Sequence, residues 1–99
     1  MRIDFEDDDL RRLFTEPSFR LPRFGSDLVR QYRKKVNFLV NAHDERDIRA
    51  WKSLHLEKLE GDLLGLHSIR LNRQWRLLLR FERDDAGQLV VIISIDDYH

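Results

Sequence analysis

The chain of 99 residues contains no cysteine, which removes disulfides, thiolate metal sites and thiol nucleophiles from consideration. It has two prolines and four glycines, too few for a biased, unfolded chain. Nothing approaches the apolar run of about 18 residues that a membrane-spanning helix requires. The opening stretch, MRIDFEDDD, is too acidic for a secretory signal. No charge of one sign is in excess, because 18 basic and 18 acidic residues cancel, and that argues against bulk attraction to nucleic acid. These absences fit a cytoplasmic protein with no membrane partner.

An apolar fraction of 41% with ten aromatic residues (two Trp, two Tyr, six Phe) is ample for one packed core. The expectation is a single domain over residues 1–99. The charges are segregated along the chain. Residues 17–35 carry six basic groups and one acid, and 63–83 carry five against one. Residues 1–16 carry six acids against three basic groups, and 84–99 carry four acids and no basic group. Local basic surfaces can therefore exist on a neutral molecule, although a solvated face gives the same pattern.

Met1–Phe5 reads as a short strand, and Asp8–Phe14 as a helix whose first turn holds acids where the helix dipole favours them. Pro17, Pro22 and Gly25 mark a loop. Ser26 is the expected N-cap of a long helix in which Leu28, Val29, Tyr32, Val36, Leu39 and Val40 recur at helical spacing to about His43. A further turn, Asp44–Ala50, is capped by Asp44, and the region of Gly61 and Gly65 reads as loop. The period then changes to alternation. His67–Leu71 and Trp75–Glu82 are strands joined by a tight Asn72–Arg73 turn. Asp84–Gly87 is a hairpin turn, and Leu89–Ile95 is a strand buried on both faces. The predicted class is α+β: a short N-terminal strand and two helices packed on a sheet completed by a C-terminal three-stranded antiparallel meander.

The last four residues, Asp96, Asp97, Tyr98 and His99, follow that strand directly. In extended chain Asp97 and His99 face one side and Asp96 and Tyr98 the other. Imidazole, phenol and carboxylate make a plausible acid–base set. RNA cleavage by 2′-hydroxyl attack needs a base for that hydroxyl, an acid for the leaving 5′-oxygen, and cations for the phosphorane. Arg70, Arg73, Arg76 and Arg80 are candidates for the cations. A solvated charged terminus accounts for the same four residues without chemistry. Trp75 alternates with Leu77, Leu79 and Phe81 and reads as core, which turns Arg76, Leu78 and Arg80 to the other face. His67 reads equally as a packed histidine or as a site residue. His43, His55, His67 and His99 do not have zinc spacing.

The stretch GDLLGLHSIRLNRQWRLLLRFE, with the terminal DDYH, resembles the HigB branch of the RelE/ParE toxin superfamily. In that branch a G-[DN]-x-x-G loop leads into [WH]-S-I-R-[IV]-N-x-Q-W-R, and the chain ends near D-Y-H. Gly61, Asp62 and Gly65 match the loop. His67, Ser68, Ile69, Arg70, Asn72, Gln74, Trp75 and Arg76 match the strand pair, and Asp97, Tyr98 and His99 match the end. The resemblance implies a RelE-like fold and a ribosome-dependent mRNA endonuclease, without metal or cofactor, in a type II toxin–antitoxin pair. The implied partners are mRNA in the ribosomal A site and a helix-turn-helix antitoxin of the HigA kind, with operator DNA reached only through that antitoxin. Carried over by position, His99 is a general acid or base, Tyr98 stacks on a base or relays a proton, and Asp97 orients the site. Arg70, Arg73, Arg76 and His67 are the implied RNA contacts.

Some positions depart from the family pattern. Glu60 and Glu57 stand where members carry a basic residue before the loop glycine and, in some, a histidine three positions earlier. Leu63 replaces a basic residue that often follows the loop acid. His55 is offset by two from the histidine position. Glu57 is a candidate general base in its own right. Two other readings of the same chain are a ParE-like protein that poisons gyrase without cutting RNA, and a domain that has lost catalysis and only binds its antitoxin.

Overall fold

A computed structural model describes residues 1–97; Tyr98 and His99, the two terminal candidates for chemistry, lie outside the described residues. Strand β1 (Arg2–Phe5) leads into helix α1 (Asp8–Thr15), whose N-cap Asp7 accepts from the Leu10 amide. Helix α2 (Ser26–Asn41) starts one residue earlier than the sequence suggests. Gly25, not Ser26, is the cap, because its carbonyl already accepts from the Val29 amide. Helix α3 (Glu45–Ala50) is capped by Asp44 as expected, its carboxylate accepting from the Arg46 amide. The meander follows as β3 (His67–Arg70), β4 (Trp75–Asp84) and β5 (Gly87–Asp97).

Between α3 and β3 the chain holds more structure than the expected loop. A 3-10 turn (Lys52–Leu54) precedes a two-residue strand, β2 (Glu57–Lys58), and a second 3-10 turn covers Gly61–Leu63. Strand β2 pairs antiparallel with β3, and β1 pairs parallel with β5. The sheet therefore has five strands in the order β1-β5-β4-β3-β2, with the meander at its centre. This is the α+β arrangement expected from sequence, extended at one edge by β2.

Residues directly opposite across a strand pair share a face of the sheet. Ile69, Leu77, Leu79, Val90 and Ile92 all enter one buried cluster with Leu10 and Leu13 of α1 and Tyr32, Val36 and Leu39 of α2. The helices thus cover one face. Arg70, Arg76, Leu78, Arg80 and Ser68 belong to the other, here called the outer face, by their register. The helical layer is tied down by polar contacts as well as by apolar area. Tyr32 is fully buried and its hydroxyl donates to the Leu10 carbonyl at 2.7 Å. Burial raises its pKa well above the ordinary tyrosine range, so the hydroxyl keeps its proton. Arg33 reaches from α2 to the Leu13 carbonyl at 2.8 Å. No helix among the described residues is long and apolar enough to cross a membrane.

One irregularity decides where the C-terminal acids point. Leu79 pairs with Ile92 but Leu78 pairs with Ser94, which leaves Ile93 as an extra residue in β5. Such a bulge shifts the phase of a strand. Regular alternation from Ile92 would put Asp96 on the helix side. With the bulge, Ile95 packs against the core and Asp96 turns to the outer face opposite Arg76.

Candidate active site

The outer face gathers four of the expected residues, Arg70, Arg76, Arg80 and Glu57. Arg70 of β3 and Arg76 of β4 are direct register partners, and Asp96 of β5 is the partner of Arg76 on its other side. Arg76 Nη2 lies 3.4 Å from Asp96 Oδ2, and the Arg76 side chain is only 15% exposed. A guanidinium held that deeply on a sheet face keeps its orientation, as a phosphate-binding group must. Glu57 joins them, because the register of β2 against Ser68 turns it to the same face. Strands β2 and β5 are three strand spacings apart, roughly 14 Å. Glu57 and Asp96 therefore flank the Arg70–Arg76 pair from opposite sides.

Asp97 pairs with Trp75 and so lies toward the helix side, where Gln74 Nε2 is 3.4 Å from its carboxylate. Arg73 is exposed in the turn between β3 and β4, a turn held by the Asn72 side chain accepting from the Gln74 and Trp75 amides. Arg80 shares the outer face but is engaged by two carboxylates, Glu6 and Glu82. Trp75 is half-buried on the helix side, edge-on to Phe24 at 5.9 Å.

His67 is also on the helix side, opposite Leu79, with its ring edge-on to Phe81 at 4.9 Å. The sheet itself separates it from Arg70 and Arg76. Burial is the main cause holding its pKa below the ordinary histidine value, with Arg49 and Lys58 adding to the effect and Glu45 opposing it. A neutral imidazole follows at pH 7.

One neighbour of this site is read from sequence only as offset by two from the family's histidine position. His55 Nε2 lies 2.9 Å from Glu57 Oε1. The offset of two positions places both side chains together because His55 adopts a left-handed backbone (φ 54°) at the end of the 3-10 turn. That conformation is uncommon for a non-glycine residue, and no periodicity in the sequence signals it. Histidine and carboxylate in contact form a pair able to hold or pass a proton. Asp96 was seen as one of the terminal acids, but its place beside Arg76 depends on the bulge.

Comparison with known proteins agrees with this architecture. A family model described as the RelE-like toxin of type II toxin–antitoxin system HigB matches residues 3–99. Toxin HigB-1 of Vibrio cholerae is 33% identical over 81 residues, which cover 82% of this chain and 84% of that protein. An uncharacterized protein of Haemophilus influenzae is 28% identical over 90 residues, 89% of this chain and 86% of its own. Among solved structures, the YoeB/ParE toxin from Agrobacterium tumefaciens superposes with a TM-score of 0.57 at 19% identity, with both chains fully covered. The YoeB-YefM complex from Staphylococcus aureus gives 0.52 at 21%, covering 100% of this chain and 97% of the other. At such identities the two structures speak for the fold, while the family match spans nearly the whole sequence, meander and terminal acids included: the chain belongs to the HigB-like toxins, the RelE-like toxins of type II toxin–antitoxin systems.

Proposed function

We propose that this protein is a cytoplasmic endoribonuclease that cuts mRNA in the ribosomal A site by acid–base chemistry needing no metal or cofactor. Its activity is restrained by a helix-turn-helix antitoxin, through which alone it reaches operator DNA. The observation that carries the reading is the opposition of Arg70 and Arg76 on the outer face, with Glu57 on one flank and the strand bearing Asp96 and Asp97 on the other. Two guanidiniums on one sheet face suit the non-bridging oxygens of a phosphodiester.

In the proposed reaction a base removes the proton of a 2′-hydroxyl, and that oxygen attacks the adjacent phosphorus. The P–O5′ bond breaks as an acid protonates the leaving oxygen, which yields a 2′,3′-cyclic phosphate and a free 5′-hydroxyl. Glu57, paired with His55, is one candidate base; His99, with Tyr98 as its relay or as a stacking platform, is the candidate acid. Asp97 orients the terminal segment through Gln74. Arg70, Arg76 and the exposed Arg73 bind the phosphates, and His67 stays apart from that set because it faces the helices.

Inducible expression in growing bacteria tests this reading. The intact chain is compared with a deletion of Tyr98 and His99, and mRNA 5′-ends are mapped after induction. Growth arrest with new mRNA ends, both lost on deletion, is the expected result. Arrest without new ends would redirect the search to gyrase or another target. No arrest from soluble, well-expressed protein would leave antitoxin binding as the function.

A further inference from the structure

Where the α1–α2 loop meets the first half of α2, a cavity of about 340 Å³ opens between Arg20, Phe24, Ser26, Val29, Arg30 and Arg33. Of these residues only Phe24 entered the site described above, through its contact with Trp75. The volume is at the small end for ligand sites, which run from roughly 300 to 1,000 Å³. It suits one nucleotide or one anchoring side chain better than a folded partner.

We infer that this cavity is a second RNA subsite, which takes a nucleotide flanking the cleaved phosphate; the inference rests on the RNA-cleaving reading and extends it. Charge is the first support. Residues 17–35 hold six basic groups against one acid, and three of the arginines line the cavity. Arg33 is committed to the fold by its bonds to the Leu13, Glu16 and Phe19 carbonyls. Arg20 and Arg30 are exposed at the rim. Among the described residues Arg20 donates only to the neutral carbonyls of Pro17 and Phe19, so its charge is not cancelled there. Arg30 meets Asp27 at 2.8 Å, but with 70% and 83% of the side chains exposed that pair is loose and cheap to rearrange.

Shape is the second support. The floor is apolar, formed by Phe24 and the buried Val29. The Arg23 guanidinium lies 4.7 Å from the Phe24 ring centroid, adding a planar cationic surface to an aromatic one. Bases stack on such surfaces irrespective of sequence. An amphipathic peptide would need a longer run of apolar anchors than these two residues supply.

Position is the third. Phe24 stands edge-on to Trp75, and Trp75 is the register partner of Asp97. The cavity therefore adjoins the end of β5 from which the terminal residues leave. An RNA strand crossing the outer face at Arg70 and Arg76 would round that strand end and meet Phe24 and Arg20 next.

Fluorescence anisotropy with a short labelled single-stranded RNA tests this on the full chain across a salt series. Three variants are compared with it: Arg20→Ala/Arg30→Ala, Phe24→Leu, and Arg70→Ala/Arg76→Ala, each checked for folding by its thermal melt. For single strands each lost phosphate contact lowers the log–log salt slope by about 0.7, so the cavity pair should lower it by about 1.4 with a loss of affinity near tenfold. Phe24→Leu should weaken binding with the slope unchanged, since stacking releases no ions. A folded Arg20→Ala/Arg30→Ala variant with the original affinity and slope would overturn the inference. If the Arg70→Ala/Arg76→Ala variant alone loses RNA, the cleavage reading stands and the subsite falls. Absence of measurable binding by the intact chain removes the subsite, while the cleavage reading is decided by the mapped mRNA 5′-ends. A parallel titration uses a labelled acidic peptide carrying one aromatic residue. If the cavity variant loses that peptide but keeps RNA, the cavity is a peptide site and the inference is wrong.

Discussion

The ammonium of Lys35 ends on the main-chain carbonyl of Arg70, 2.7 Å away, and on that of Leu71 at 3.0 Å. Lys35 is only 8% exposed. Burial pushes its pKa below the ordinary lysine value, with the nearby charges of Lys34 and Arg70 acting in the same direction. A helix residue thereby fixes the strand end from which Arg70 projects to the opposite face. Lys35→Met keeps most of the volume and removes the donor, leaving two carbonyls short of a partner. The expected loss of stability is about 1–3 kcal/mol, read as a fall in melting temperature of about 4–8 °C for each kcal/mol in a domain of this size. Because Lys35 positions Arg70 without touching substrate, cleavage by the surviving folded protein should show a raised KM with kcat nearly held. A lowered kcat at unchanged KM would contradict this role.

Arg76 is the cation with most of its side chain withdrawn from solvent and a carboxylate beside it. If it stabilises charge building on the phosphorane, Arg76→Ala should slow the appearance of new mRNA 5′-ends by about 10²–10³-fold, the usual effect of losing one such donor. Arg76→Lys should recover only part of the rate, since a single ammonium cannot reproduce the two-pronged geometry. Full activity in the lysine variant would mean that charge alone is used. Thermal melts run alongside separate this effect from a loss of fold, because Asp96 loses its cationic partner in the alanine variant.

The meander, both main helices and the hairpin turn were legible because each leaves a local signal. Val36 and Leu39 repeat at helical spacing, Leu77 and Leu79 alternate, and the sequence Asp84–Gly87 marks the turn. Strand β2 was invisible because two residues have no period, and its partners Ser68 and His67 lie about ten positions away. The place of β1 beside β5 is likewise a non-local choice, 87 positions apart in register. The Ile93 bulge left no mark either, since Ile92, Ile93 and Ser94 are all acceptable in a strand. Without the bulge the faces of Asp96 and Asp97 cannot be assigned against the core. The site was therefore readable as a set of residue types, while its sidedness, including the position of His67 behind the sheet and of His55 beside Glu57, required the fold.

The β4–β5 hairpin depends on one backbone angle. Gly87 has φ 112°, a value that L side chains rarely adopt, yet an added methyl would meet no atom within 4 Å. Any cost of Gly87→Ala is therefore conformational and not steric. A loss of about 1 kcal/mol or more is expected, visible as an earlier thermal midpoint. Gly25, at φ −70° with equally open space, provides the contrast. Gly25→Ser introduces a side-chain acceptor at the cap of α2 and should raise stability by a few tenths of a kcal/mol. Equal effects at the two glycines would refute the distinction.

His67 makes the pH dependence of the fold testable. Its Nδ1 is buried and has no hydrogen-bond partner among the described residues, and its ring packs on Phe81. Burial favours the neutral form, so the folded pKa is lower than the ordinary value of 6.5. In the unfolded chain the imidazole takes up its proton at that ordinary value, and in the folded chain only at lower pH. The unfolded state therefore binds more protons between the two values, and stability falls as pH drops through that window. The contribution is fully present above 6.5. His67→Phe keeps an aromatic ring against Phe81 and abolishes the titration. Melting temperatures followed from neutral pH to about one and a half units below the ordinary value should fall for the native chain and stay nearly level for the variant until the carboxylates begin to protonate, near 4. Because His67 faces the helices, the variant should also keep RNA cleavage at pH 7. A variant with an unchanged melt and a loss of cleavage would assign His67 to the RNA and not to the packing of the sheet.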